Sequence, residues 1–347
     1  GIHFNFYPFK DMIVHDRLVL PDISIYYGRG MEHADTLLAN LFDLYEEPPD
    51  WWYRTSWFWL HPIGQPNADF GKVQDAVDLL MDECGVNGFG IIAHDRSPGG
   101  LDCECHSPKA SSILGGDDGL RRLVDRIRDK GGHTFAWMAR YGRIAAGGPP
   151  MWQDDWALRG IDRRPVGHEV FRICDAHSPG YRDFVLKWVR YNVEYLGIDG
   201  LFWDSAFQPM VANFAAESGK WLNCPGEAMA GGPALYEEIY RYGKGLSSDF
   251  FMWGEGVTTE RISNAFAIDN RVHGERSGHA LMHRLAHAGP RRLVWRSSWC
   301  QDVSGAFPFI KPAQDICRDP HSGFYETVAA DPINQWLCRT VKEHGCR

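Results

Sequence analysis

The chain has 347 residues and a formal net charge of −9, and its 44% hydrophobic and 23% charged residues are typical of a folded globular protein rather than a disordered one. The acidic balance, without any Lys/Arg run, argues against nucleic acid as a partner, and no apolar stretch of about 18 residues predicts a membrane span. The 14 Trp residues are an excess that fits either sugar stacking or core packing.

The nine cysteines are scattered, and only Cys103 and Cys105 lie close together. Because no CxxC pair occurs, we expect no structural zinc, and we expect most thiols to be free and buried. No metal and no cofactor are predicted. The chain opens on Gly1 without a visible signal peptide, so we expect a removed leader or a fragment, and a secreted or periplasmic location is favoured over a cytoplasmic one. The sequence does not indicate the oligomeric state.

The first 50 residues differ from the rest of the chain. Short strand patterns around 13–14, 18–20 and 23–27 precede an amphipathic helix over 32–45 and a break at 46–50. Residues 1–50 are therefore predicted to be the end of a β-rich domain, a partial N-terminal β-sandwich segment, followed by a linker helix.

From residue 51 to residue 347, strand and helix patterns alternate, which predicts a parallel sheet. Seven strand candidates and no GxGxxG or GxxxxGK[ST] motif favour a (β/α)8 TIM barrel over an open α/β sheet. The predicted strands start near 55, 88, 134, 198, 250, 265 and 292, with an eighth sought within 300–330. The predicted helices cover 70–84, 117–130, 179–196, 233–242, 278–288 and 332–344.

Two carboxylates end neighbouring strands of this barrel. Asp204 follows the apolar strand 198–203, and Glu255 follows strand 250–253, one βα unit later. Function in such barrels gathers at the carboxyl ends of the strands, so we expect both side chains to line one pocket. One ionised carboxylate beside one protonated carboxyl is what a glycosidase needs. The pattern therefore predicts a glycoside hydrolase in which one of these residues is the nucleophile or base and the other is the general acid.

The stretch Asp199-Gly-Leu-Phe-Trp-Asp204 resembles the segment that carries the nucleophile after strand four in retaining α-glycoside hydrolases of the α-amylase, α-glucosidase and α-galactosidase superfamily. Gly254-Glu255 is similar to the pair that carries the acid in the α-amylase branch, and the run 175–183 looks like the segment before strand four in the other branches. The resemblance implies cleavage of α-linked sugars with retention, and an oligo- or polysaccharide substrate. In those other branches the acid is an Asp after strand six, so Asp269 is the rival of Glu255.

Further residues at or beside the strand ends are candidates for substrate binding. They are Trp57, Trp59, His94, Asp95, Arg140, Tyr141, Arg172, Trp203, Trp253, Asp269, His273 and Arg296.

Two other classes of function stay open. The α-amylase family has an Arg two residues before its nucleophile, where this chain has Phe202, and a His-Asp pair after strand seven that has no counterpart after Trp295. These departures fit a non-catalytic carbohydrate-binding barrel. A metal-dependent barrel hydrolase or isomerase would use His94, Asp95, Asp204 and Glu255. The sugar, the linkage position and the choice between endo and exo action are not encoded in any motif found.

Overall fold

The computed structural model describes residues 13–14, 17–18, 51, 54–60, 70–91, 110, 115–139, 141–143, 153–167, 171–204, 212–255, 268–270, 294–295 and 323–344. Its strands are β1 (Ile13–Val14), β2 (Arg17–Leu18), β3 (Trp57–Leu60), β4 (Gly88–Ile91), β5 (His133–Ala139), β6 (Tyr141–Arg143), β7 (Phe171–Ile173), β8 (Gly200–Asp204), β9 (Phe251–Glu255), β10 (Ile268–Asn270) and β11 (Val294–Trp295). Its helices are α1 (Phe70–Leu79), α2 (Gly116–Asp129), α3 (Pro179–Arg190), α4 (Ala228–Leu246), α5 (Phe324–Ala330) and α6 (Pro332–His344).

A seven-stranded sheet in the order β11-β10-β9-β8-β5-β4-β3 forms the centre of the fold. Every neighbouring pair in it is parallel, which confirms the predicted α/β class with a parallel sheet. The predicted eighth strand has no counterpart in the described part of 300–330, where residues 324–330 form α5 instead. Apart from the antiparallel pair β1–β2, the predicted β-sandwich segment and its linker helix lie outside the described residues.

The helices follow the predicted apolar periodicity. α1 and α3 continue into π-helical turns, Leu80–Cys84 and Tyr191–Tyr195, which complete the predicted helices 70–84 and 179–196. Pro179 occupies the first turn of α3, and Gly197 follows the π turn with a φ of 71°, as its position after the last helical residue predicts. Within the described residues, no helix is long and apolar enough to cross a membrane.

All described helices whose side chains reach the core pack on one face of the sheet. Phe58, Phe89, Met138, Leu201 and Met252, one from each of five neighbouring strands, belong to a single buried cluster. The same cluster contains residues of α1 to α6, among them Val77, Leu123, Val189, Ile239, Val328 and Cys338. Helices on one face only are typical of a barrel, whereas an open doubly wound sheet carries helices on both faces.

The opposite face of the sheet is lined with aromatic rings that touch across strands. The ring centroids lie 5.0 Å apart for Trp57 and Phe135, 6.3 Å for Phe135 and Phe202, and 6.1 Å for Trp57 and Phe251. Four strand spacings separate β9 from β3, and in a flat sheet they would amount to about 19 Å. The contact of Trp57 with Phe251 therefore requires the sheet to curl around these rings, as a barrel does.

Small residues face these rings at the amino end of the sheet. A Cβ atom on Gly200 would stand 2.5 Å from the Phe251 ring, and one on Gly88 would stand 2.6 Å from the Trp57 ring. Such distances are far below van der Waals contact, so the two glycines make room for the rings that fill the interior.

Gly200→Ala tests this packing. We expect it to lower the free energy of unfolding by about 1–3 kcal/mol, because the added methyl group overlaps a buried ring. The matched control is Gly245→Ala in α4, where a Cβ meets nothing within 4 Å; it should leave stability unchanged or raise it by about 0.5 kcal/mol. Urea denaturation measures both, and equal stabilities would contradict the packing described.

Candidate active site

The strand register brings Asp204 and Glu255 to one level at the carboxyl ends of β8 and β9. Trp203 pairs with Gly254, and the two carboxylate residues each come next in their strands. Side chains alternate between the faces of a strand, and Phe202 lies among the interior rings. Asp204, two residues after Phe202, therefore belongs to the interior face, and the register gives Glu255 the same face.

Asp269 belongs to the other face. It pairs with Gly254, while Asn270 pairs with Glu255. Gly254 in turn pairs with Trp203, which lies in the cluster between sheet and helices. The register thus assigns Asp269 to the helix-facing side and Asn270 to the level and face of Glu255. Asp269 also lies inside β10 rather than after a strand that ends at 268, because β10 starts three residues later than the sequence predicts.

Aromatic residues occupy the level directly below the carboxylates. Trp137 pairs with Phe202, and Phe202 pairs with Trp253. Trp137 and Phe202 are buried. Trp253, a predicted sugar-binding residue, shares this level and the interior face by register. The positions of Asp204 and Glu255 therefore lie two residues further along the strands than a level that includes the buried Trp137 and Phe202.

Two predicted stacking residues are core residues in the structure. Trp203 is 1% exposed and packs edge-on against Tyr236 of α4, with ring centroids 5.2 Å apart. It precedes Asp204 by one residue, so the alternation along β8 turns it to the helices. Trp57 is 0% exposed and is the first residue of β3. Its strand runs on to Leu60, which places Trp57 at the amino end of the barrel, away from the carboxyl ends.

The other predicted binding residues are distributed as follows. Trp59 pairs with Gly90 in the sheet. Tyr141 lies in β6 and Arg172 in β7, two strands that form an antiparallel ribbon within the connection from β5 to α3. The ribbon follows the carboxyl end of β5, so it lies on the side of the sheet where Asp204 and Glu255 are. The remaining predicted binding residues lie outside the described residues; they are His94, Asp95, Arg140, His273 and Arg296.

Asp199 is the first residue of the stretch 199–204 and lies just before the amino end of β8, at the opposite end of the strand from Asp204. It links β8 to β5 by hydrogen bonds. Its Oδ2 accepts hydrogen bonds from the backbone N–H and the hydroxyl of Thr134, at 2.8 and 3.3 Å. The Nδ1 of His133 is 3.9 Å from the same oxygen, and the His133 ring stacks on Trp51. Burial raises the pKa of Asp199 and lowers that of His133. Asp199 therefore joins the starts of β5 and β8 and has no place at the carboxyl ends.

A buried polar network ties together two loops that follow β5 and β8. Asp175 is 0% exposed. Its Oδ2 accepts hydrogen bonds from the Asn213 amide at 2.7 Å and from the Trp221 indole N–H at 3.0 Å, and its Oδ1 accepts from the backbone N–H of His177 at 2.9 Å. Asn213 Oδ1 in turn accepts from the backbone N–H of Arg159 at 3.1 Å. A buried carboxylate is stable only when hydrogen-bonded in this way.

Sequence reasoning missed Asn213 and Trp221. Both lie in the loop after β8, which contains no recognisable motif. Asn213 and Trp221 contact Asp175, which is 38 and 46 residues away in the sequence. A local sequence pattern cannot predict contacts over such distances along the chain. Asp175 itself lies in the run 175–183, which is part of the family resemblance. For Trp221, the only indication in the sequence is the general excess of Trp.

No cluster of three or more His, Cys, Asp or Glu residues that could hold a metal ion is found among the residues that the structure describes. His94 and Asp95, on which a metal-dependent alternative depends, lie outside them. The geometry on this side of the sheet is instead that of two carboxylate positions above an aromatic layer, flanked by two loops that share a buried network.

Asp175→Ala tests the loop network. The substitution leaves three donors, one of them fully buried, without their acceptor, so we expect the free energy of unfolding to fall by about 3 kcal/mol. Limited proteolysis should then cut within 153–167 or 212–227. Asp155→Asn, an exposed carboxylate of the same loop, is the control and should change stability by less than about 0.5 kcal/mol. If Asp175→Ala is as stable and as resistant to protease as the control, the network does not hold the loops.

Comparison with known proteins gives structural neighbours only, since no protein-family model and no curated protein matches the sequence. A debranching enzyme from Nostoc punctiforme is 13% identical with a TM-score of 0.47, over 65% of this chain and 53% of that one. An α-amylase from Geobacillus thermoleovorans, solved with acarbose, is 11% identical with a TM-score of 0.44, over 63% and 51%. An α-galactosidase from Lactobacillus brevis is 14% identical with a TM-score of 0.46, over 66% and 30%. This chain spans less than two thirds of the length of each.

Proposed function

We propose that this chain hydrolyses α-linked glycosides with retention of the anomeric configuration, with Asp204 as nucleophile and Glu255 as general acid and base. The observation that carries the proposal is the register of β8 and β9, which sets both residues at one level on the interior face. The α-linkage rests on the resemblance of residues 199–204 to the nucleophile segment of retaining α-glycoside hydrolases.

The spacing of the strands favours retention over inversion. Neighbouring strands lie about 4.8 Å apart. Carboxyl groups of a retaining glycosidase are about 5–5.5 Å apart, whereas an inverting enzyme needs about 6.5–9.5 Å to admit a water molecule between acid and base. Asp204 and Glu255 take positions on adjacent strands, at one level and on one face, and this backbone spacing is nearer to the shorter separation.

The register also supports Glu255 over Asp269 as the acid. A general acid must reach the glycosidic oxygen on the side of the sugar that the nucleophile does not attack, and both groups must stand in one pocket. Asp204 and Glu255 share the interior face. Asp269 pairs with Gly254 and belongs to the helix-facing side, so it is separated from Asp204 by the sheet.

The reaction proceeds in two steps under this assignment. In the first step Asp204 attacks the anomeric carbon, the bond from that carbon to the glycosidic oxygen breaks, and Glu255 gives its proton to the leaving oxygen. In the second step Glu255 takes a proton from water, the resulting hydroxide attacks the anomeric carbon, and Asp204 leaves as a carboxylate. Two displacements restore the original configuration.

An oligo- or polysaccharide is the substrate that the resemblance of residues 199–204 implies. Trp137 and Phe202, two residues before the level of Asp204 on the interior face, are buried. The loops that contain 153–167 and 212–227 follow β5 and β8 at the carboxyl ends of the sheet, where a substrate of Asp204 and Glu255 would bind.

Asp204→Asn removes the nucleophile without changing its size. We expect kcat on p-nitrophenyl α-glycosides to fall by about 10⁴-fold or more, because the amide cannot form the glycosyl intermediate. Circular dichroism and thermal melting should match the wild type. A folded Asp204→Asn protein that keeps most of its turnover would remove Asp204 from the reaction, and a wild-type protein that cleaves none of a panel of α-glycosides would indicate a binding protein instead.

Glu255→Gln and Asp269→Asn separate the two rival acids. Loss of the general acid should lower kcat by about 10²–10⁴-fold on a disaccharide. On a p-nitrophenyl glycoside the loss should be much smaller, because nitrophenolate leaves without protonation. We expect this dependence on the leaving group for Glu255→Gln, and unchanged kinetics within about threefold for Asp269→Asn. The reverse pattern would assign the acid to Asp269.

A further inference from the structure

Trp221 differs from the other Trp residues described near the carboxyl ends of the strands because it is only partly buried. Trp137, Trp156 and Trp203 are buried, whereas Trp221 is of intermediate exposure. It lies in the loop between β8 and α4, so it belongs to the same side of the sheet as the end of the strand that carries Asp204. We propose that Trp221 is an aromatic platform on which a pyranose ring of the substrate stacks, an inference that rests on the proposed function.

The ring of Trp221 is held in a fixed orientation. Its indole N–H donates to Oδ2 of Asp175 at 3.0 Å, and Asn213 holds the same oxygen from its own side at 2.7 Å. The ring also packs against the small apolar cluster of Leu158, Leu222 and Ala228. A side chain fixed before the ligand arrives loses little conformational entropy when it binds, so its contacts count fully toward affinity.

The chemistry left free on Trp221 is that of a sugar-stacking surface. Its only polar group is already used by Asp175, so the ring offers a π face and no hydrogen-bond donor. Pyranose rings present C–H groups on one face, and these groups pack on aromatic faces, while the hydroxyl groups at the rim reach polar side chains. In this arrangement Asp175 is a positioning residue, because its buried carboxylate holds the indole N–H of Trp221.

The test measures sugar binding in the inactive Asp204→Asn background. The probes are maltoheptaose, an α-glucan, and stachyose, an α-galactoside, titrated by calorimetry. Trp221→Ala should weaken the Kd of the sugar that binds by about tenfold or more. In the active enzyme it should raise KM on the same sugar by more than it lowers kcat. Trp221→Phe keeps a ring but loses the hydrogen bond to Asp175, so we expect an intermediate loss.

Trp336→Ala is the matched control, because Trp336 is 59% exposed and lies on α6 at the outer surface. It should leave Kd and KM unchanged. An Asp204→Asn protein that binds sugar equally well with and without Trp221, while both variants stay folded, overturns the platform and leaves the glycosidase proposal standing. An Asp204→Asn protein that binds neither sugar overturns both.

A second inference rests on two cysteines at the contact between α6 and the π turn that follows α1. The sulfur atoms of Cys84, at the end of the π turn after α1, and Cys338, in α6, are 3.9 Å apart. Both residues are buried. Arg54, just before β3, donates hydrogen bonds to the carbonyl oxygens of Lys342 and Glu343 at 3.0 and 3.1 Å. The pair thus lies where the end of the chain closes against its first βα unit.

The structure assigns Cys84 and Cys338 as a disulfide-forming pair that links α6 to the π turn after α1. The sulfur atoms are 3.9 Å apart, and a disulfide needs them at about 2.05 Å, so the two side chains must turn toward each other for the bond to form.

The oxidant is a small disulfide such as glutathione disulfide. The thiolate of one cysteine attacks one of its sulfur atoms and releases one glutathione, and the thiolate of the other cysteine then attacks the protein sulfur of the mixed disulfide and releases the second. Two electrons and two protons pass from the protein thiols to the two glutathione molecules. Because both sulfurs are buried, the exchange takes place while α6 is undocked, during folding or local opening.

Refolding of the full chain in a glutathione redox buffer tests this disulfide. Peptide mapping without reduction should show residues 84 and 338 in one cross-linked peptide, and oxidation should raise Tm by about 5 °C or more, because the link closes a long loop. Cys84→Ser and Cys338→Ser should each abolish the shift, whereas Cys224→Ser, in the loop after β8, should retain it. Absence of the cross-linked peptide after refolding, or the same shift in Cys84→Ser, would overturn the assignment.

Discussion

The register of β5, β8 and β9 is the constraint on which the site depends. Because side chains alternate along a strand, a slip of one residue would turn Asp204 and Glu255 toward the helices and bring Trp203 to the interior. The structure fixes the register at the amino ends, where Asp199 accepts hydrogen bonds from Thr134 and Gly200 leaves room for the Phe251 ring. The register that positions Asp204 and Glu255 is thus set at the opposite end of the sheet.

The interior and the loops contribute to the site in different ways. The aromatic rings on the interior face pack against one another and against the glycines at the amino end of the sheet. These apolar contacts stabilise the curvature of the sheet and need no hydrogen-bonding partner. The loops beyond β5 and β8 are instead joined by Asp175, whose carboxylate is removed from water and compensated by three donors. Such a network costs desolvation energy and gives directional geometry in return, which fits the orientation of Trp221 that we propose for sugar binding.

Much of this arrangement follows from the sequence, and the failures have identifiable causes. Apolar runs ending in polar residues predict the strands that carry Asp204 and Glu255, and helical periodicity predicts α1, α3 and α6. The sequence predicts Trp203 at the substrate-binding end of the strands because it is next to Asp204. Successive residues of a strand lie on opposite faces, however, so Trp203 faces the helices. Trp221 could not be found, because its position depends on a contact with a residue 46 positions away.

The central claim is that Asp204 forms a covalent bond with the sugar, and an activated fluoro-sugar tests it most directly. Such a compound reacts with the nucleophile of a retaining glycosidase and leaves it slowly, so the intermediate accumulates. Mass spectrometry should find one sugar per chain, and digestion should place it on Asp204. A label on Glu255 or Asp269, or a folded protein that cleaves α-glycosides but takes up no label, would contradict the account.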